Sequence, residues 1–75
     1  MNKYDLANQL KEMYSKAPAG DQVAHIHLFG VKYADHIHRN HYKISEIVEL
    51  SGISRSYATE VSKGIKLSKY VVSKS

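Results

Sequence analysis

The chain has 75 residues, 43% of them hydrophobic, no cysteine, and a formal net charge of +4. Such a length allows one small domain with a limited core, which neither disulfides nor cysteine-ligated zinc can reinforce. No apolar run approaches the ~20 residues of a membrane span, and Met1-Asn2-Lys3-Tyr4-Asp5 lacks a signal-peptide core. A cytoplasmic protein with no membrane partner is therefore expected.

The spacing predicts a first helix over about 2–17, with Leu6, Leu10, Met13 and Tyr14 on one stripe and Asn2 as its cap. Pro18-Ala19-Gly20 ends it, and Asp21 is placed to cap a second helix over about 22–39. That helix carries Val23, Ile26, Leu28, Phe29, Val31, Tyr33, Ala34 and Ile37 around most of its circumference, the pattern of a central, buried helix. Gly30 within it costs up to ~1 kcal/mol relative to alanine, which points to the close approach of another helix. Asn40-His41-Tyr42-Lys43 connects to a third helix over about 44–51, with Ile47, Val48 and Leu50 as its apolar residues. Gly52 falls where the chain must reverse, because glycine enters the left-handed region without steric cost. Ile53 fits as an apolar plug. Ser54 precedes a fourth helix over about 54–63, where its hydroxyl can accept from a free backbone N–H. Ala58 and Val61 share one face of that helix, and small Ala58 suits close packing of helix backbones. Gly64 reads as the closing cap, with Lys63 suited to that end of the helix dipole. In the tail, 65–75, Ile65, Leu67 and Val71 partly alternate with polar residues, as in a strand, while Ser68 could instead cap a further helical turn. A terminal strand would need a partner, and the same strand of a second copy would supply one.

Ile47-Val48, Gly52, Ile53-Ser54, Arg55-Ser56 and Gly64 resemble the helix-turn-helix of Cro/C1-type repressors, without insertion. The resemblance covers about residues 43–64. Two departures stand out: Val48 takes the place where that family usually has alanine, and most of the chain precedes the motif instead of following it. As a whole the chain also looks like small bacterial or phage helix-turn-helix-like domain proteins. The resemblance implies double-stranded DNA as partner, with the helix over 54–63 in the major groove.

The charge distribution agrees. Residues 1–42 carry a balance of +1 and residues 43–75 a balance of +3, which favours phosphate attraction and counterion release near the motif. The N-terminal residues of a groove-bound helix reach base edges first. Arg55 is thus the leading candidate for direct readout, since guanidinium pairs with guanine O6 and N7; a phosphate contact or a surface ion pair are its other roles. Ser56, Thr59 and Glu60 complete the candidate base-facing set. Glu60 can accept from cytosine N4, or it can pair with Arg55 or Lys63. Lys43, Ser54, Tyr57, Lys63, Lys66 and Lys69 are candidate phosphate contacts, with Tyr57 alternatively packing on the second helix.

The five histidines do not form a metal site by spacing. His25 and His27, like His36 and His38, diverge by ~200° on a helix, and His25 and His36 lie ~16 Å apart along its axis. There is no cysteine nucleophile, glycine-rich phosphate loop or paired-carboxylate motif, so neither catalysis nor a cofactor is expected. The expectation is a single all-α domain over 1–75: a compact four-helix bundle containing a helix-turn-helix, with a short C-terminal strand or helical turn. Its expected role is sequence-specific DNA binding by a small bacterial or phage transcriptional regulator, acting as a homodimer. The rival is a protein-interaction module, antitoxin-like or a phage inhibitor, that uses the fold without DNA.

Overall fold

Asn2 starts the first helix as its sequence position requires. Its side chain accepts from the Asp5 N–H at 2.9 Å, and Asp5 accepts from the Asn2 N–H at 3.0 Å, a reciprocal capping box. The computed structural model describes residues 1–72. Among them the helices are α1 (Lys3–Lys16), α2 (Gln22–Arg39), α3 (Ile44–Ser51) and α4 (Ala58–Leu67), with a 3-10 turn over Arg55–Tyr57 before α4. The architecture is all-α, with no strand among the described residues.

Leu6 and Leu10 of α1, Ile26 and Phe29 of α2, Ile47 and Val48 of α3 and Val61 of α4 are fully buried and form one core. α2 packs against α1 on one side and α4 on the other, and α3 packs against α1 and α4. The central position expected for α2 is thus observed, but its outer face stays open: Val23 and Leu28 are each 40% exposed. Asp21 makes no side-chain capping bond to α2, contrary to expectation; it contributes its main-chain carbonyl to the His25 N–H at 3.0 Å.

The most extensive helix–helix contact joins α2 and α4. Its cause is a pair of facing glycines. A β-carbon on Gly30 would lie 2.6 Å from the Val61 carbonyl oxygen and 2.8 Å from the Ile65 nitrogen. One on Gly64 would lie 2.9 Å from the His27 α-carbon, and nearer still to the His27 carbonyl oxygen. The helices therefore meet backbone to backbone, and Gly30 has the close-approach role its sequence position suggested.

Gly64 does not. It is an interior residue of α4, not the closing cap, and the helix runs one turn further to Leu67. Helix-breaking tendency is overridden here because tertiary packing rewards the absence of a side chain. The end comes at Ser68, whose N–H donates to the Gly64 carbonyl at 3.0 Å and whose hydroxyl donates to the Ile65 carbonyl at 2.5 Å. Beyond it, Tyr70 N–H reaches the Leu67 carbonyl at 2.9 Å and Val71 N–H the same carbonyl at 3.2 Å, so the segment is a helical turn. The tail strand, and dimerisation through it, have no basis in residues 65–72; positions 73–75 lie outside the described residues.

Candidate nucleic-acid interface

The turn between α3 and α4 is built from short side chains. Gly52 takes φ +83° at the end of α3, and its N–H returns to the Glu49 carbonyl at 3.2 Å. Ser51 is buried; its hydroxyl donates to the Val48 carbonyl at 2.6 Å and accepts from the Ile53 N–H at 3.3 Å. Ile53 is half-buried against the core, the plug role expected of it. Ser54 then accepts from the Ser56 N–H at 3.3 Å, and the two hydroxyls are 2.9 Å apart. These contacts open the next helix with a 3-10 turn instead of the continuous helix over 54–63.

Two ties set how this unit sits on the rest of the chain. At the α3 end, Lys3 donates to Glu46; that hydrogen bond, with the attraction of the ammonium charge, holds the Glu46 carboxyl below its ordinary range. At the other end, Tyr57 stacks on Tyr14 of α1, ring centroids 5.4 Å apart and hydroxyls 3.4 Å apart, which raises the Tyr57 phenol above its usual value. Tyr57 thus packs on α1. Its hydroxyl already has a partner, so it is less available to a phosphate.

The candidate base-facing residues divide. Arg55, Ser56 and Thr59 are exposed at the leading end of the motif's second helix. Arg55 has a side chain 83% exposed, with one loose contact, 3.8 Å to Glu49. Glu60 is different. One of its carboxylate oxygens accepts from His27 Nε2 of α2 at 2.7 Å, the other from Lys63 at 3.3 Å, and its side chain is only 22% exposed. The His27 hydrogen bond, joined by Lys63, lowers its pKa despite partial burial. Glu60 is turned to the α2 flank of α4, away from Arg55.

Among the candidate phosphate contacts, Lys63 and Lys66 are exposed, and with Thr59 they recur at helical spacing along the outward face of α4. Lys66 joins that face because the helix does not stop at Gly64. Lys69 is exposed just past the helix end. Ser54 is committed to capping. Lys43, the residue preceding α3, is exposed at the end of that helix opposite the turn, ~12 Å along its axis. The structure therefore gathers Arg55, Ser56, Thr59, Lys63 and Lys66 on one surface and leaves Lys43 apart.

Spacing along α2 shows only that His27 shares no metal site with its neighbours on that helix. Its real neighbour lies 33 positions away in Glu60, and no local spacing signals a pair that exists only because two glycines bring α2 and α4 together. His36 likewise meets a residue distant in sequence, with Nε2 2.6 Å from the Met1 carbonyl. Among the described residues no group of three or more His, Asp or Glu is arranged to hold a metal ion, and no helix is long and apolar enough to cross a membrane.

Helix, glycine turn and exposed second helix define a helix-turn-helix. A family model described as HTH-like domain matches residues 2–74, and the chain belongs to that family. The match supports the helix-turn-helix reading, but not the Cro/C1-type repressors in particular. Neither the curated proteins nor the solved structures include a match to the chain.

Proposed function

We propose that this chain is a sequence-specific double-stranded DNA-binding protein, a small bacterial or phage transcriptional regulator that inserts the leading end of α4 into the major groove. The observation that carries the reading is the face Arg55, Ser56, Thr59, Lys63 and Lys66: donors and cations on one side of a helix whose other side is welded to α2. Membership in the HTH-like family supports it. Arg55 is the base reader in this proposal, through guanine O6 and N7, with Ser56 and Thr59 beside it. Lys63, Lys66 and Lys69 neutralise phosphates, and Lys43 serves a separate phosphate from the far end of α3. The proposed setting is cytoplasmic, with no catalytic chemistry and no cofactor. Two copies act together, because one recognition helix reads too few base pairs for useful selectivity.

The second reading, a protein-interaction module on the same fold, draws on one observation. Leu67, Tyr70, Val71 and Val72 are 44%, 82%, 44% and 87% exposed, an apolar cluster beyond the cationic face. Selection from a pool of random duplexes over a salt series separates the two. An enriched motif, lost in Arg55→Ala, supports DNA recognition; absence of binding at low salt overturns it.

A further inference from the structure

We infer that His27 is a positioning residue for the DNA-facing helix: it holds Glu60 against α2 and so keeps the one carboxylate of α4 off the DNA surface. The inference rests on the DNA-binding reading. Between Ser54 and Leu67 the chain has one acidic residue, Glu60, and it lies on the helix that carries Thr59, Lys63 and Lys66. A free carboxylate there would repel phosphate and compete for the lysines that should bind it. The structure gives it an alternative partner. His27 Nε2 donates to one oxygen at 2.7 Å, and His27 is fixed in place because its own backbone is the surface on which Gly64 packs. Backbone and side chain of a single α2 residue thus set both the seating of α4 and the direction of its only negative charge.

Lys63 takes the other oxygen at 3.3 Å, but its side chain is 61% exposed and free to turn outward to phosphate. With His27 present, that exchange leaves Glu60 still satisfied. Without it, Glu60 depends on Lys63 alone, and the pair neutralises itself on the outward face. The cost then appears in DNA affinity as well as in folding.

Four full-length variants test this, each checked by thermal melting and measured for duplex DNA affinity across a salt series. His27→Ala should bind about three- to tenfold more weakly than the native chain. His27→Gln, whose amide can donate to the same oxygen, should retain most of the affinity. Glu60→Gln should bind at least as tightly as the native chain, with a steeper salt dependence by up to about one phosphate contact. His27→Ala combined with Glu60→Gln should recover the loss, which a purely structural defect at position 27 would not do. Native affinity in His27→Ala overturns the inference, as does a folded double variant that stays weak. Weaker binding by Glu60→Gln overturns it too, even if the position 27 variants fail to fold. If the native chain binds no duplex at any salt, it is the DNA-binding reading itself that fails.

Discussion

Gly52 and Gly64 bracket the same helix-turn-helix segment, yet they answer to different physical demands. Gly52 sits at φ +83° with nothing within 4 Å of where a β-carbon would stand. What matters there is a backbone angle. Gly64 has ordinary helical geometry, and a β-carbon would press into the backbone of His27. What matters there is the lack of a side chain. The turn region is therefore open and adaptable, whereas the α2–α4 seam is closed and unforgiving. The exposed face of α4 lies away from that seam.

This contrast can be broken most directly at the seam. Gly64→Ala gains helix propensity but forces two backbones apart, and a net loss of about 2–3 kcal/mol is expected. Gly30→Ala should behave alike, since all three of its nearest contacts are main-chain atoms of α4. In a chain this small, that corresponds to a thermal midpoint lower by roughly 10–20 °C. An unchanged midpoint would mean the seam is looser than the geometry indicates.

At the turn the expected effect is smaller. Gly52→Ala meets no neighbour and carries only the left-handed backbone cost, about 1 kcal/mol. Gly52→Asn should cost less, because asparagine tolerates that region. Chemical denaturation of the two variants would show whether the angle alone is at stake; equal losses at Gly52 and Gly64 would erase the distinction drawn here.

Acid should then loosen two ties, Lys3–Glu46 between α1 and α3 and His27–Glu60 between α2 and α4. The carboxyls of Glu46 and Glu60 are both held below the ordinary value of 4.5 by their partners Lys3 and His27. A folded-state pKa lower than the unfolded one contributes stability that is complete above that value and is lost as pH falls through the folded one. Urea midpoints should hold steady from neutrality to about pH 5 and decline below about 4.5 as far as these two groups are concerned. Glu46→Gln should flatten part of the decline, and a slope that persists unaltered would assign it to other groups.

The smallest stability change belongs to the exposed face. Arg55→Ala and Thr59→Ala should alter unfolding free energy by no more than about 0.5 kcal/mol. Arg55→Ala should nevertheless reduce affinity for a selected duplex by about tenfold. A large stability loss at either position would indicate that this face is structural.

Much of this protein was legible from local patterns. Asn2 announces the start of α1, Gly52 the turn, Ser54 the cap, and Arg55-Ser56 the exposed leading end. The errors share a cause. Propensity alone makes Gly64 a helix stop, and spacing alone offers Tyr57 a phosphate or α2 as its partner. In both cases the deciding partner, His27 or Tyr14, lies on another helix. His27 was the residue hardest to find, because a histidine in a helix carries no mark of the carboxylate it will meet.

The sequence by itself determined where α1, α2 and α3 lie, which stripes are apolar and which residues can make a tight turn. Those properties follow from periodicity and from backbone angles, and both are local. The tertiary structure alone decided that α4 continues to Leu67, that Lys66 shares a face with Thr59 and Lys63, and that Glu60 turns toward His27. Each of these depends on how closely α2 and α4 approach. That distance is set by two glycines far apart in the chain, whose meaning appears only when they face each other.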